Sequence, residues 1–194
     1  LTYLDMLHEY WMYEPDPDLI RELLPGTRSI TNWFIRHQCP DGFLDQLPFW
    51  MAIDFPQGVK TFPRSDKDGR SSLVTLLFVH ALRNAAELED ALGDAALAAN
   101  YRTRADRAAA AVMAQCWNSK VGLLADTPEQ TSYSQHANIF GILTDTIPIS
   151  LQQAVMGKLL NVQALPDAAL GSVTALVSLH YQFFLSRAME KTGA

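Results

Sequence analysis

Two long helical patterns separated only by Gly93 and Asp94 limit what this chain can fold into more than any other feature does. From about residue 71 to 92, Leu73, Leu76, Leu77, Val79 and Leu82 recur at helical spacing and form a broad apolar stripe, with His80 inside it as a satisfied core histidine. From Asp94 to about residue 117, Leu97, Tyr101, Ala105, Ala109, Val112 and Cys116 repeat the same period. Gly93 reads as the C′ residue that ends the first helix, and Asp94 as the N-cap of the second. Helices of this length with so short a connection must lie antiparallel, side by side.

The rest of the chain repeats the theme. Leu4, Leu7 and Trp11 predict a first helix ending near Met12, and Asp16-Pro17 opens a second, an N-cap followed by proline at the first helical position. Ile20, Leu23 and Leu24 mark its buried face. Pro25-Gly26 predicts a break, after which Ile30, Trp33 and Phe34 resume a helical stripe. Beyond the central hairpin, residues 122–126 read as a short extended piece, and helices are expected over about 134–143, 150–160 and 172–190. The hairpins differ too much for a short-period solenoid, and a toroid or irregular bundle fits better. No composition shift marks an internal boundary, so residues 1–194 read as a single domain.

Composition then excludes several classes of function. With 15 basic and 21 acidic residues, a net charge of −6 and no Lys/Arg run, the chain lacks the footprint of a nucleic-acid binder. Cys39 and Cys116 belong to no CxxC or Cys/His cluster, so no metal site is expected. No apolar run reaches the ~18 residues of a membrane span, and no secretory leader is visible. The chain begins at Leu1 already in helical rhythm without a capping residue, and its last helix ends at Gly193-Ala194 with nothing to close on; further sequence is expected on both sides. The compartment stays open.

Residues 38–68 stand apart. After the turn Cys39-Pro40-Asp41-Gly42 the connection exceeds the usual ~12 to 15 residues of a structureless loop, and it carries the aromatic stretch LPFWMAIDFPQG. No GxSxG elbow surrounds Ser71-Ser72 or any other serine, and no glycine-rich phosphate loop occurs.

At LTYLDMLHEYWMYEPDPDLIRELLP, at PDGFLD…WMAIDFPQGV, and at ALRNAAELEDALGDAALAANYRTRAD…CWNSKVGLLADT…SYSQHAN, the sequence resembles the six-hairpin catalytic domain of bacterial α-L-rhamnosidases, glycoside hydrolase family 78. The resemblance implies an (α/α)₆ toroid of helical hairpins with a sugar pocket at one end of the barrel. Twelve helices need about 300 residues, so this chain is expected to form part of the ring. It also implies hydrolysis of terminal α-L-rhamnosides by inverting general acid/base catalysis, with no metal or organic cofactor. The family's acidic motifs fall outside the positions matching Leu1 and Ala194. Glu9, Glu14, Glu22, Glu87 and Glu89 read as solvated residues of polar helix faces, and no pair of them suits glycoside hydrolysis. The catalytic residues are therefore unassigned, and the isolated chain is expected to be inactive.

Candidate substrate-binding residues remain. Trp50 reads either as a stacking platform for a sugar ring or as a core anchor of its loop. Asp54 reads as an acceptor for sugar hydroxyls or as a local turn and cap residue. Phe55 stands where this family has Trp. Gln135 and His136 open the fifth helix, an end at which a toroid presents groups to its pocket. Gln135 also completes a capping-box pattern with Ser132, and His136 also reads as a packing residue. Two rival functions accompany the hydrolase: a non-catalytic helical carbohydrate-binding or interaction module, and a toroid glycosidase acting on another sugar. A partial ring exposes the apolar faces of its terminal helices, so self-association is expected.

Overall fold

The computed structural model describes residues 1–14, 16–49, 53–56, 62–161 and 173–194. Trp50 and the predicted helix start near Ser172 lie outside them. Among the described residues the helices are α1 (Thr2–Tyr13), α2 (Pro17–Ile35), α3 (Ser72–Leu92), α4 (Ala95–Cys116), α5 (Gln135–Leu143), α6 (Ile149–Leu160) and α7 (Gln182–Thr192). Short strands β1 (Trp117–Asn118) and β2 (Leu123–Leu124) pair antiparallel, and β3 (Tyr133–Ser134) pairs in parallel with β4 (Val173–Ala175).

The helices form two layers. Along one row α1 meets α3, α3 meets α5 and α5 meets α7, while α2, α4 and α6 each pack on the row helix that precedes them. This is the hairpin arrangement expected from the sequence. α3 lies at the centre and is buried almost all round, from Ser72 to Glu89. Ala98, Ala105, Ala108 and Ala109 on α4 let the two helix axes approach closely over Val79, Leu82, Ala85 and Ala86. Asp94 caps α4 through its side chain, as predicted, and Ser71 caps α3 in the same way.

The predicted break at Pro25-Gly26 does not occur; α2 runs through it. Proline removes one helical hydrogen bond, but Ile20, Leu24, Thr27, Thr31 and Phe34 form one continuous buried face across it. Thr27 and Thr31 donate their hydroxyls to the carbonyls of Leu24 and Thr27, both at 2.7 Å, so these buried hydroxyls are satisfied within the helix.

Gly93 also departs from its predicted role. Its φ of −126° is not left-handed. What it supplies is space, because a Cβ there would come within 2.0 Å of Glu89 Oε2. Glu89 was expected on a solvated face, yet it is 1% exposed. Arg28 donates to both its carboxylate oxygens at 2.7 Å and the Asp94 amide donates at 2.9 Å, so the turn closes over a bidentate ion pair.

The third difference lies before α7. A helix was expected over 172–190, but the described part of its first half is β4 followed by a 3-10 turn, Leu179–Tyr181. Backbone groups there find partners outside their own segment: β4 bonds to β3, the Val177 amide donates to Gln135 Oε1, and the Ser178 amide donates to Asp54 Oδ2. Tertiary partners for an extended chain override its helical periodicity.

Candidate functional site

The loop residue Asp54, the first turn of α5 and the segment after β4 meet in one buried node. Asp54 Oδ1 accepts the Phe55 amide at 2.8 Å, and Oδ2 accepts both the Ser178 amide at 2.9 Å and His136 Nε2 at 2.6 Å. Asp54 is 5% exposed and His136 is fully buried. Burial alone would raise the Asp54 carboxyl, but hydrogen bonds from Ser178, His136 and Phe55 hold it at about 2. Burial drives His136 downward despite the Asp54 hydrogen bond. The pair therefore consists of an ionised carboxylate and a neutral imidazole whose Nε2–H donates to it. Nδ1 is left as a buried acceptor without a partner among the described residues, and the ring packs against Phe62 and Tyr181 at centroid distances of 4.5 and 5.1 Å.

Gln135 belongs to the same node with a different role from the one its sequence pattern suggests. The N-cap of α5 is Ser134, which accepts the Ala137 amide, so the Ser132 capping box does not form. Gln135 instead donates from Nε2 to the Leu159 carbonyl and accepts the Val177 amide, both at 2.9 Å, pinning α5 to the end of α6 and to the strand region. Next to it, Asn138 bonds the Leu124 amide and carbonyl at 2.8 and 2.9 Å. The structure thus brings Asp54, Gln135 and His136 together, with every polar group except His136 Nδ1 engaged inside the protein; Trp50 is outside the described residues.

A cleft of about 930 Å³ opens beside this node between α1, α3 and the start of α7. Tyr10, Phe34, Phe49, Phe183 and Phe184 contribute aromatic walls, with Asp5, Glu9 and His80 among the polar groups on its lining. His80, read from sequence as a core residue, faces this space. Asp5 Oδ1 accepts Asn84 Nδ2 at 2.9 Å and lies 3.6 Å from His80 Nε2. Burial raises the Asp5 carboxyl to about 7, against the pull of the Leu1 ammonium and the Asn84 hydrogen bond. Burial, reinforced by the nearby guanidinium charges of Arg187 and Arg83, lowers His80 to about 4, so it stays neutral beside Asp5. Tyr181 joins the two regions: it lines the cleft, and its hydroxyl is raised by burial and by both Asp54 and Asp5.

Sequence reasoning passed over Asp5. A signal was present in α1, where Met6, Tyr10 and Tyr13 form a second apolar stripe away from the buried Leu4 and Leu7, which ordinary solvent-facing positions would not show. Among the described residues no group of His, Cys, Asp and Glu is placed to hold a metal ion, and no helix is long and apolar enough to cross a membrane.

Comparison with known proteins places this arrangement. The model of the bacterial alpha-L-rhamnosidase 6 hairpin glycosidase domain matches residues 2–170. No curated protein matches the chain. Among solved structures, a rhamnosidase from Klebsiella oxytoca with rhamnose bound superposes with a TM-score of 0.78 at 18% identity, over 98% of this chain and 34% of that one. A family 78 rhamnosidase from Bacillus sp. GL1 gives the same TM-score of 0.78 at 20% identity, over 98% of this chain and 19% of its own. At such identities the structural likeness speaks for the fold, and this chain spans between a fifth and a third of those proteins' lengths.

Proposed function

Since this chain belongs to the bacterial α-L-rhamnosidase six-hairpin glycosidase domain family, we propose that its intact parent hydrolyses terminal α-L-rhamnosides and that residues 1–194 form one continuous part of the catalytic toroid. The observation that carries this reading is the aromatic cleft beside the Asp54–His136 node. Flat apolar walls with a few convergent polar groups suit the C–H faces and hydroxyls of a sugar.

Inverting hydrolysis needs a proton donor to the leaving oxygen and a base for the attacking water, about 6.5–9.5 Å apart. In this chain Asp54 is committed to three internal donors and Glu9 to Arg187. We assign the catalytic pair to residues of the parent outside this chain. Within it, the Asp54–Gln135–His136 node is proposed to support the substrate pocket from beside the cleft, and Trp50 is proposed as a stacking platform for the sugar.

An aryl α-L-rhamnoside tests the proposal. Release of the aryl group is expected from the full-length protein and not from the 194-residue chain. Turnover by the isolated chain would overturn the assignment of the catalytic pair. A full-length protein that binds rhamnosides without cleaving them would overturn the hydrolase reading in favour of a carbohydrate-binding module.

A further inference from the structure

Asp5 is a cleft-lining carboxyl whose ion-pair partner among the described residues, His80 at 3.6 Å, is held neutral. Around it, Leu1 contributes the terminal ammonium of this chain; α1 contributes His8 and Glu9; α3 contributes His80 and Arg83; α7 contributes Arg187 and Lys191. Most of these have other engagements. Glu9 pairs with Arg187, His8 with Glu87, and Lys191 with Asp145. Arg83 donates to the Thr144 carbonyl and reaches Asp106. Beside Asp5 stand the neutral His80 and the amide of Asn84, with the Leu1 ammonium acting from a distance.

A carboxyl in this position is costly to leave idle. It lies at the wall of a large aromatic cleft, where desolvation disfavours its charge, and Asn84 fixes the orientation of Oδ1. The cleft as a whole has aromatic faces, a paired Glu9 and an uncharged His80. That lining suits a neutral polyol and disfavours an anionic sugar, which would meet Asp5 and Glu9 together. The geometry points to Asp5 as the polar anchor of a neutral saccharide in this cleft, its carboxyl oriented by Asn84 to meet a ligand hydroxyl. Ionised, Asp5 accepts a hydrogen bond from that hydroxyl; protonated, it donates one to the hydroxyl oxygen, so the contact survives on both sides of its titration.

This assignment rests on the proposed function, and one experiment separates the two. The 194-residue chain is labelled with ¹³C at the aspartate carboxyls, and Asp5 is titrated by NMR with methyl α-L-rhamnoside, with methyl α-D-glucoside, and with neither. Saturating rhamnoside is expected to move the Asp5 midpoint by about half a pH unit or more, and Asp5→Asn to weaken rhamnoside binding by about fivefold while the fold persists. A carboxyl with a purely structural role would show neither effect. Absence of rhamnoside and glucoside binding, binding with an unmoved Asp5 midpoint, or unchanged affinity in Asp5→Asn would overturn the assignment. If glucoside moves Asp5 and rhamnoside does not, the anchor stands and the rhamnoside reading falls. If full-length protein hydrolyses rhamnosides while Asp5 is indifferent to ligand, the reading stands and the anchor falls.

Discussion

Replacing Asp5 by Asn removes one ionisation while keeping the side chain's shape and its acceptor for Asn84, and the structure sets what this does to stability. In the folded chain the carboxyl titrates at about 7, whereas its ordinary value is 3.8. Between those values the folded state holds a proton that the unfolded state has already lost. Stability therefore falls as pH rises from about 4, and levels off above about 7. A displacement of about three pH units, at ~1.4 kcal/mol each, sets a ceiling of ~4 kcal/mol, and solvent reaching the cleft brings the expected effect to ~2–4 kcal/mol. Asn at this position escapes that loss. Urea unfolding of both proteins near pH 4 and near pH 8 is the assay, with the stability difference between them as the readout, because every other titrating group cancels. Asp5→Asn should gain ~2–4 kcal/mol on wild type between the two conditions. A difference that does not change with pH would show that Asp5 has an ordinary carboxyl, and the account of the cleft wall would fail with it.

Three further changes probe the rest of the frame. Asp54→Ala leaves the His136 Nε2–H and the Ser178 amide without their acceptor, so a loss of ~3–5 kcal/mol in urea unfolding is expected rather than a binding defect alone. Because its folded carboxyl sits at about 2, below the ordinary 3.8, Asp54 stabilises the fold at neutral pH, and that contribution disappears as pH falls through about 2. Gly93→Ala drives a methyl into Glu89 Oε2 and should cost ~2 kcal/mol or more, read as a lowered Tm; an unaltered Tm would contradict the closed turn. Gln135→Leu strands the Leu159 carbonyl and the Val177 amide, with an expected cost of ~2 kcal/mol and faster amide exchange at Val177, which a capping role would leave untouched.

The frame was legible from sequence because it rests on local rules. The paired patterns around Gly93-Asp94, the Asp94 cap and the motifs shared with the rhamnosidase family all depend on neighbours in the chain. What escaped depends on distant partners. Pro25 keeps its helix because one buried stripe continues across it, and Glu89 is buried because Arg28 reaches it from another helix. Residues 176–178 are extended because Gln135 and Asp54 take their amides. Asp5 resembles any polar residue of an amphipathic helix until α3 and α7 close the cleft around it. In Asp54 the sequence supports both a sugar acceptor and a local turn; the structure gives it the neighbouring Phe55 amide and two partners more than eighty residues away.

The bond from Asp54 to the Ser178 amide joins residues 124 positions apart, and the pair of Glu9 and Arg187 spans 178. These closures have a consequence for the order of folding. The α3–α4 hairpin makes its contacts over short loops and can form early, whereas Asp54 has no amide from Ser178 until the last quarter of the chain has arrived. During synthesis the aromatic loop would emerge from the ribosome well before its lock, and its apolar residues would stay exposed for the time needed to translate more than a hundred further residues, about 6–25 s at ordinary elongation rates. Over that interval this part of the chain lacks its lock and is open to chaperones and to misassembly.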